Sequence, residues 1–293
     1  MSIDQIFSHA RAHNTQPVSF EMFPPKGELT LEKAREVGAA FAELSPDFVS
    51  VTYSAGGSAN NAATTRIASM ITQELGITSC AHQTCISLRT ADLPAKIEEL
   101  RAAGVRNVLA LRGDVPQGVP TGPGSADYRY AMDIIPALVD AGFCVGGAAY
   151  PEGHIECDDL DLSVAHLKLK QDAGASFFVT QLFFDNECFY RFRERAGAAG
   201  ITVPITAGIM PFMSKQQINR MVFMCGASLP APVIKLLARY EDDPASLRAA
   251  GIDYACRQLE DLAEHGVDGL HVYTMNRPSV ARAAMSALRR EAQ

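Results

Sequence analysis

The chain has 293 residues, of which 47% are hydrophobic and 20% charged. It carries 33 acidic and 26 basic side chains, and the resulting net charge of −7 argues against a nucleic-acid-binding surface. Its 7 cysteines form no C-x-x-C pair, which argues against a metal cluster and against a disulfide-rich secreted scaffold. We therefore expect reduced thiols and no metal site.

The amino-terminal residues give no targeting signal. They lack the basic segment of a signal peptide, and residues 3–11 have the periodicity of a short amphipathic helix. No apolar run reaches the roughly 18 residues that a membrane span needs. We expect a cytoplasmic protein.

Eight short apolar segments alternate with segments of helical periodicity along the chain. The predicted strands are residues 18–23, 47–53, 78–86, 107–111, 143–150, 176–184, 203–209 and 269–274. The predicted helices are 31–44, 62–75, 92–103, 127–141, 159–173, 186–199, 214–225, 252–265 and 279–290, with an extra helix and turn at 230–243. Eight strand–helix units predict an α/β protein with a single-domain (β/α)8 TIM barrel over residues 1–293. A doubly wound sheet is the alternative, but no G-x-G-x-x-G motif follows any strand.

The fourth strand lies in R-N-V-L-A-L-R-G-D-V-P, residues 106–116. Its apolar run has no polar alternation, which is typical of a strand buried on both faces. It ends in Arg112, Gly113 and Asp114. Ligands of α/β enzymes bind at the carboxyl ends of strands, so these residues are candidates for a binding turn. A structural turn built on Asp114 is the alternative.

The first strand predicts a carboxylate inside the barrel. Val18, Phe20 and Met22 share one face of a strand, and Ser19 and Glu21 share the other. If the apolar face packs on the helices, Glu21 points inward, where an unpaired carboxylate is costly. Glu21 is therefore a candidate acid, and a structural ion pair is the alternative.

Other strand ends also carry polar residues, and each has a structural alternative. His82 could be a core histidine and Gln181 a bridge between strands, while Lys168 and Lys170 could be solvated charges on a helix. The sequence has no H-E-x-x-H motif, no G-x-S-x-G motif and no lysine on a predicted strand. This set suits acid-assisted chemistry on a bound organic cofactor.

Several strand-end motifs, in order along nearly the whole chain, resemble the methylenetetrahydrofolate reductase family. They include V-S-F-E-M-F-P-P from residue 18, F-V-S-V-T-Y from 48, L-A-L-R-G-D from 109, A-Y-P-E-G-H from 149 and Y-T-M-N-R from 273. The resemblance implies a flavoprotein barrel that binds FAD without a Rossmann motif. It also implies reduction of 5,10-methylenetetrahydrofolate to 5-methyltetrahydrofolate in one-carbon metabolism and methionine biosynthesis.

The resemblance assigns roles residue by residue. Glu21 matches the general acid that opens the folate ring, and Asp114 matches a group that tunes the flavin and holds the pterin. The implied cofactor contacts are Thr52, His82, Arg112, Gly113, Asp114, Ala131, Tyr150, His154, His166, Lys168 and Lys170. The implied substrate contacts are Glu21, Asp114, Gln181, Gln217, Tyr273 and Arg277.

The chain departs from the family pattern at two places. Ser163 and His166 stand where the family often has Asp and Asn. Met221 stands where the family has an aromatic that stacks on nicotinamide, and Phe223 is near in sequence but on another helical face. The electron donor is therefore left open between NAD(P)H and a partner protein, and we expect a homo-oligomer or a hetero-complex.

Two other classes of function stay open. One is a non-catalytic folate- or flavin-binding subunit of a redox assembly, and the other is a barrel lyase or hydrolase without flavin. The regulatory domain that eukaryotic family members append is not expected, nor is control by S-adenosylmethionine.

Overall fold

In the computed structural model of the chain, residues 1–24, 30–53, 61–114 and 127–291 are described. Eight parallel strands close into a barrel in sequence order. They are β1 Val18–Met22, β2 Phe48–Val51, β3 Ser79–Thr84, β4 Asn107–Leu111, β5 Cys144–Ala149, β6 Phe177–Thr180, β7 Ile205–Ile209 and β8 Gly269–Tyr273. The predicted (β/α)8 fold is confirmed.

Each strand is followed by helix, as the period-3.6 segments predict. The helices are α1 Ile3–His13, α2 Thr30–Ala42, α3 Asn61–Gln73, α4 Leu93–Ala102, α5 Ile135–Asp140, α6 Leu160–Asp172, α7 Asn186–Ala198, α8 Lys215–Cys225, α9 Ala231–Arg239, α10 Pro244–Glu264 and α11 Pro278–Glu291. Within the described ranges, none of them is long and apolar enough to cross a membrane.

The first strand faces the barrel as its alternation predicts. Phe20 and Met22 join the large apolar cluster between barrel and helices, and the ring centroid of Phe20 is 5.1 Å from that of Phe41 on α2. Ser19 and Glu21 face the interior. In the register of the sheet, Glu21 lies beside Ser50 of β2 and Tyr273 of β8.

Helix α1 closes the amino end of the barrel. Ile3 and Phe7 pack against Phe48 and Phe177, which project inward from the strands. The Asn107 Oδ1 atom accepts a hydrogen bond of 2.8 Å from the Ile3 backbone N–H. This plug leaves the opening at the carboxyl ends of the strands, which is the mouth of the barrel.

The predicted helix at 127–141 is wrong in its first half. A short 3-10 turn at Ala131–Asp133 precedes α5 instead. The Asp133 carboxylate accepts hydrogen bonds of 2.8 Å from the backbone N–H groups of Arg129 and Tyr130. Since Asp and Pro136 both favour helix starts over interiors, helix begins only at Ile135.

Two other predicted bounds differ. Strand β6 ends at Thr180 instead of 184, because the Gln181 side chain accepts the Leu182 N–H and Leu182 turns into a second apolar cluster. Helix α10 begins at Pro244 instead of 252. The helix passes through Gly251, one residue before the predicted start.

Candidate functional site

Glu21 lies at the base of the mouth, with 19% of its side chain exposed. Its Oε2 atom is 3.9 Å from His82 Nε2 and 3.8 Å from His271 Nε2. These separations are too long for hydrogen bonds, and within the described residues neither nitrogen has another partner. Two almost fully buried imidazoles therefore face one carboxyl group.

Burial keeps His82 neutral near pH 7. It lowers the pKa of His82 to about 4, with the Glu21 charge opposing the shift and His271 adding to it. A buried histidine with a partnerless nitrogen is not the satisfied core residue that the sequence left open. His82 belongs to the polar layer around Glu21.

The carboxyl end of β4 supplies a second group of polar side chains. Gly113 has φ of +84°, and a Cβ there would meet the Thr84 side chain at 2.8 Å. The Arg112 guanidinium forms two hydrogen bonds, of 2.5 and 2.9 Å, to the carboxylate of Glu156. Asp114 is exposed, and the residues that follow it, 115–126, lie outside the described ranges.

Strand β5 and helix α6 bring further side chains to the same side of the mouth. The rings of Tyr150 and His154 meet edge to face with centroids 4.8 Å apart. Lys170 reaches in from α6, donates a hydrogen bond of 2.7 Å to the Ala148 carbonyl and places its ammonium 5.4 Å from the Tyr150 ring centroid. Burial lowers the pKa of Lys170 to about 8.

The opposite side of the mouth is held by hydrogen bonds to the backbone. Tyr273 donates from its hydroxyl to the Thr180 carbonyl at 2.6 Å, and burial raises its pKa well above the ordinary value. The Gln181 Oε1 atom accepts the Leu182 N–H at 2.9 Å, and the Gln217 Oε1 atom accepts the Met213 N–H at 2.8 Å. Both amides are thus fixed in orientation.

A model of the methylenetetrahydrofolate reductase family matches residues 5–289 of the chain. The chain belongs to this family. It is 34% identical over 272 residues to the 5,10-methylenetetrahydrofolate reductase of Pectobacterium carotovorum, covering 92% of this chain and 89% of that protein. The identity to the Escherichia coli enzyme of the same name is also 34%, over 92% of this chain and 90% of that protein.

Eukaryotic relatives are longer. Methylenetetrahydrofolate reductase 1 of Schizosaccharomyces pombe is 34% identical over 262 residues, covering 88% of this chain but 43% of that protein. The chain thus spans less than half of that relative's length.

Among solved structures, a protein from Clostridium thermocellum that binds two copies of 5-methyl-5,6,7,8-tetrahydrofolic acid superposes with a TM-score of 0.68. The alignment covers 97% of this chain and 99% of that one at 16% identity. At this identity the likeness supports the barrel fold alone.

The structure brings most of the residues implied by the family resemblance to the mouth. Thr52 follows β2 directly, and its backbone N–H donates to Met22 on β1. Ala131 is buried in the 3-10 turn, and Arg277 stands just before α11. Burial raises the pKa of the Cys225 thiol on α8 to about 11, and the charge of Asp114 adds to the shift.

Of the implied cofactor residues on α6, Lys168 is directed away from the mouth. Lys168 pairs with Asp172 one turn further on, and its carbon chain packs near Gly200, which precedes β7 at the amino end of the barrel. His166 is exposed on the same helix, and it is one of the charges that lower the pKa of His154 at the mouth. The implied basic pair therefore separates into Lys170, which reaches the mouth, and Lys168, which does not.

The two candidates for the nicotinamide-stacking position differ as the helical periodicity predicts. Met221 packs against the apolar cluster beside Tyr273, whereas Phe223 is 82% exposed.

Sequence reasoning missed two residues of this site. His271 stands two positions before Tyr273 on β8, so strand alternation alone places it on the inward face. Glu156 lies in the loop after β5, and nothing in the sequence pairs it with Arg112 across 44 positions.

Proposed function

We propose that the protein reduces 5,10-methylenetetrahydrofolate to 5-methyltetrahydrofolate with FAD as its cofactor, and that residues 1–293 act as one catalytic domain. The names of the bacterial relatives support the reaction. The observation that carries the proposal is Glu21, a carboxyl group inside the barrel that faces the buried rings of His82 and His271 and has no Lys or Arg paired with it among the described residues.

The residues at the mouth fit a dinucleotide cofactor. Lys170 has no carboxylate partner within the described residues, and a buried ammonium of this kind is suited to a phosphate group. Gly113 lets the chain turn sharply at the end of β4, against the Thr84 side chain. Arg112, Tyr150 and His154 supply hydrogen-bond donors and a ring on the same side. Bound FAD, once reduced, supplies the hydride for the reaction.

The chain's own groups perform the acid and binding steps. The folate carries its one-carbon unit as a bridge between N5 and N10. Glu21 donates a proton to N10, which breaks the N10–carbon bond and leaves an electrophilic N5 iminium that accepts the hydride. Gln181 and Gln217 present amide groups whose orientations are fixed by backbone hydrogen bonds, and they hold the pterin. Asp114 adds negative charge beside pterin and flavin.

The folate-binding barrel from Clostridium thermocellum is consistent with a folate ligand at this mouth. The electron donor is NAD(P)H or a partner protein. Met221 in place of an aromatic favours the partner protein, because a thioether gives a poorer stacking surface for nicotinamide than a ring does.

The decisive experiment is the visible spectrum of the purified full chain, before and after anaerobic addition of NADH, NADPH or 5-methyltetrahydrofolate. We expect a yellow protein that 5-methyltetrahydrofolate bleaches, because the reaction run in reverse passes hydride to the flavin. A colourless protein that takes up no added FAD would instead identify a lyase or hydrolase. A bound flavin that the folate leaves oxidised would identify a binding subunit.

A further inference from the structure

Glu156 is a carboxylate on the cofactor side of the mouth, and the proposed mechanism gives it no role. Both of its oxygens accept from Arg112, whose side chain is 25% exposed. Bidentate pairs of this geometry are stronger than ordinary surface ion pairs. The Glu156 contact raises the pKa of Arg112, and the Arg112 contact lowers that of Glu156, so both groups stay charged near neutral pH.

The same residue also fixes His154. The Glu156 backbone N–H donates to His154 Nδ1 at 3.1 Å. A nitrogen that accepts a hydrogen bond carries no proton in the neutral ring, so the proton of neutral His154 is on Nε2. Burial lowers the pKa of His154, with the Arg112 charge adding to the effect. Glu156 thus touches two of the residues that the family resemblance assigns to the cofactor.

We propose that Glu156 is a positioning residue that neutralises Arg112 beside the bound flavin and so keeps the reduction potential of that flavin low. This inference rests on the proposed function. A positive charge near a flavin stabilises its anionic reduced form and raises the potential. When Glu156 cancels its charge, Arg112 donates hydrogen bonds to the cofactor without raising the reduction potential. The reduced flavin therefore stays an effective hydride donor.

The charged groups on this side of the mouth predict the direction in which each substitution shifts the reduction potential of the flavin. Asp114 is negative, Lys170 is positive and His154 is neutral. Glu156→Gln leaves the His154 contact intact, because that contact comes from the backbone, and exposes the charge of Arg112. Arg112→Gln leaves the carboxylate uncompensated. The two substitutions therefore act in opposite directions on the flavin.

The test is the midpoint potential of FAD bound to the full chain, measured by dye equilibration for wild type, Glu156→Gln, Arg112→Gln and the double variant. We expect the potential to rise in Glu156→Gln, to fall in Arg112→Gln and to return near the wild-type value in the double variant. Glu74→Gln is the matched control, because Glu74, directly after α3, forms a bidentate pair with Arg35 on the outer helix α2. It should leave the potential unchanged.

An unchanged or lowered potential in Glu156→Gln would overturn the proposal, as would shifts of the same sign in both single variants. If a variant loses FAD at working concentrations, Glu156→Asp, which keeps the charge, gives the second measurement and should hold the wild-type potential. These outcomes are separate from failure of the proposed function. That failure is seen in the wild-type protein, as an absence of FAD binding or of bleaching by folate.

Discussion

The Nε2 atom of His271 lies 3.8 Å from Glu21 Oε2, and Ser19 on the adjacent strand fixes the other nitrogen of the same ring. The Ser19 hydroxyl donates to the Leu270 carbonyl at 3.2 Å, so it accepts from His271 Nδ1–H at 2.8 Å. With Nδ1 held by Ser19, Nε2 is the ring atom of His271 that faces Glu21. The surroundings of Glu21 are thus built from β1, β3 and β8, away from the Arg112 and Lys170 side of the mouth.

Because of this separation, we expect Glu21→Gln to impair the folate half-reaction and to leave the reduction of FAD intact. The variant should bind FAD and be reduced by the donor as wild type is, because within the described residues Glu21 has no hydrogen bond or ion pair to Arg112, Tyr150 or Lys170. Turnover of methylenetetrahydrofolate should fall by about 10²–10⁴-fold, the usual contribution of a general acid. Stopped-flow measurement of each half-reaction tests this. Glu36→Gln, on the exposed face of α2, is the control, and equal folate rates in Glu21→Gln and wild type would refute the acid role.

The fold and much of the site follow from local patterns in the sequence. The apolar run at Asn107–Leu111 coincides with β4, and the alternation of Val18–Met22 places Glu21 inside the barrel. Such patterns report the period of a strand and the side it buries, which is enough to identify strand ends.

The contacts that could not be predicted from the sequence join residues that lie far apart in the chain. Glu156 meets Arg112, and His271 meets Glu21 across 250 positions, through the closure of the barrel and the shape of one loop. Lys168 and Lys170 have similar sequence surroundings, yet only the packing of α6 decides which of them reaches Tyr150.

The buried His82 predicts a loss of stability in acid. Its pKa is about 4 in the folded protein and 6.5 when unperturbed, so the unfolded chain binds more protons between these values. Stability should therefore fall as pH drops from 6.5 towards 4, by about 3 kcal/mol from this residue. In urea titrations across this range, His82→Gln should show a flatter pH dependence than wild type. A slope in His82→Gln that matches the wild-type slope would contradict the assignment.

The two lysines of α6 allow a matched pair of substitutions that tests which of them contacts the cofactor. Lys170→Met should weaken FAD binding by about ten- to a hundredfold at pH 7, the usual value of a charged hydrogen bond. Because the pKa of Lys170 is about 8 and a phosphate favours its charged form, wild-type affinity should also decrease as pH rises through 8. Fluorescence titration of the apoprotein with FAD measures both effects. Lys168→Met should bind FAD as wild type does, since Lys168 pairs with Asp172. If Lys168→Met weakened FAD binding and Lys170→Met did not, Lys168 would be the cofactor contact instead.

Gly251 predicts a steric limit where α10 crosses the loop after β7. A Cβ at this position would lie 1.8 Å from the Phe212 carbonyl oxygen and 2.8 Å from its carbon, which are backbone atoms that cannot rotate away. Gly251→Ala should therefore destabilise the protein by about 1–3 kcal/mol, the usual cost of overpacking. The same shift would displace the segment that carries Met213 and its contact with Gln217. We therefore expect a higher KM for folate as well as earlier unfolding in urea.

Gly197→Ala is the control for this substitution. Gly197 lies within α7, and among the described residues no atom beyond its chain neighbours and the backbone of its own helix comes within 4 Å of a Cβ placed there. Alanine is the better helix former, so this variant should gain about 0.5–1 kcal/mol. If both alanine variants were stabilised alike, the close approach of α10 to Phe212 would be wrong, because helix propensity alone would then explain the two results.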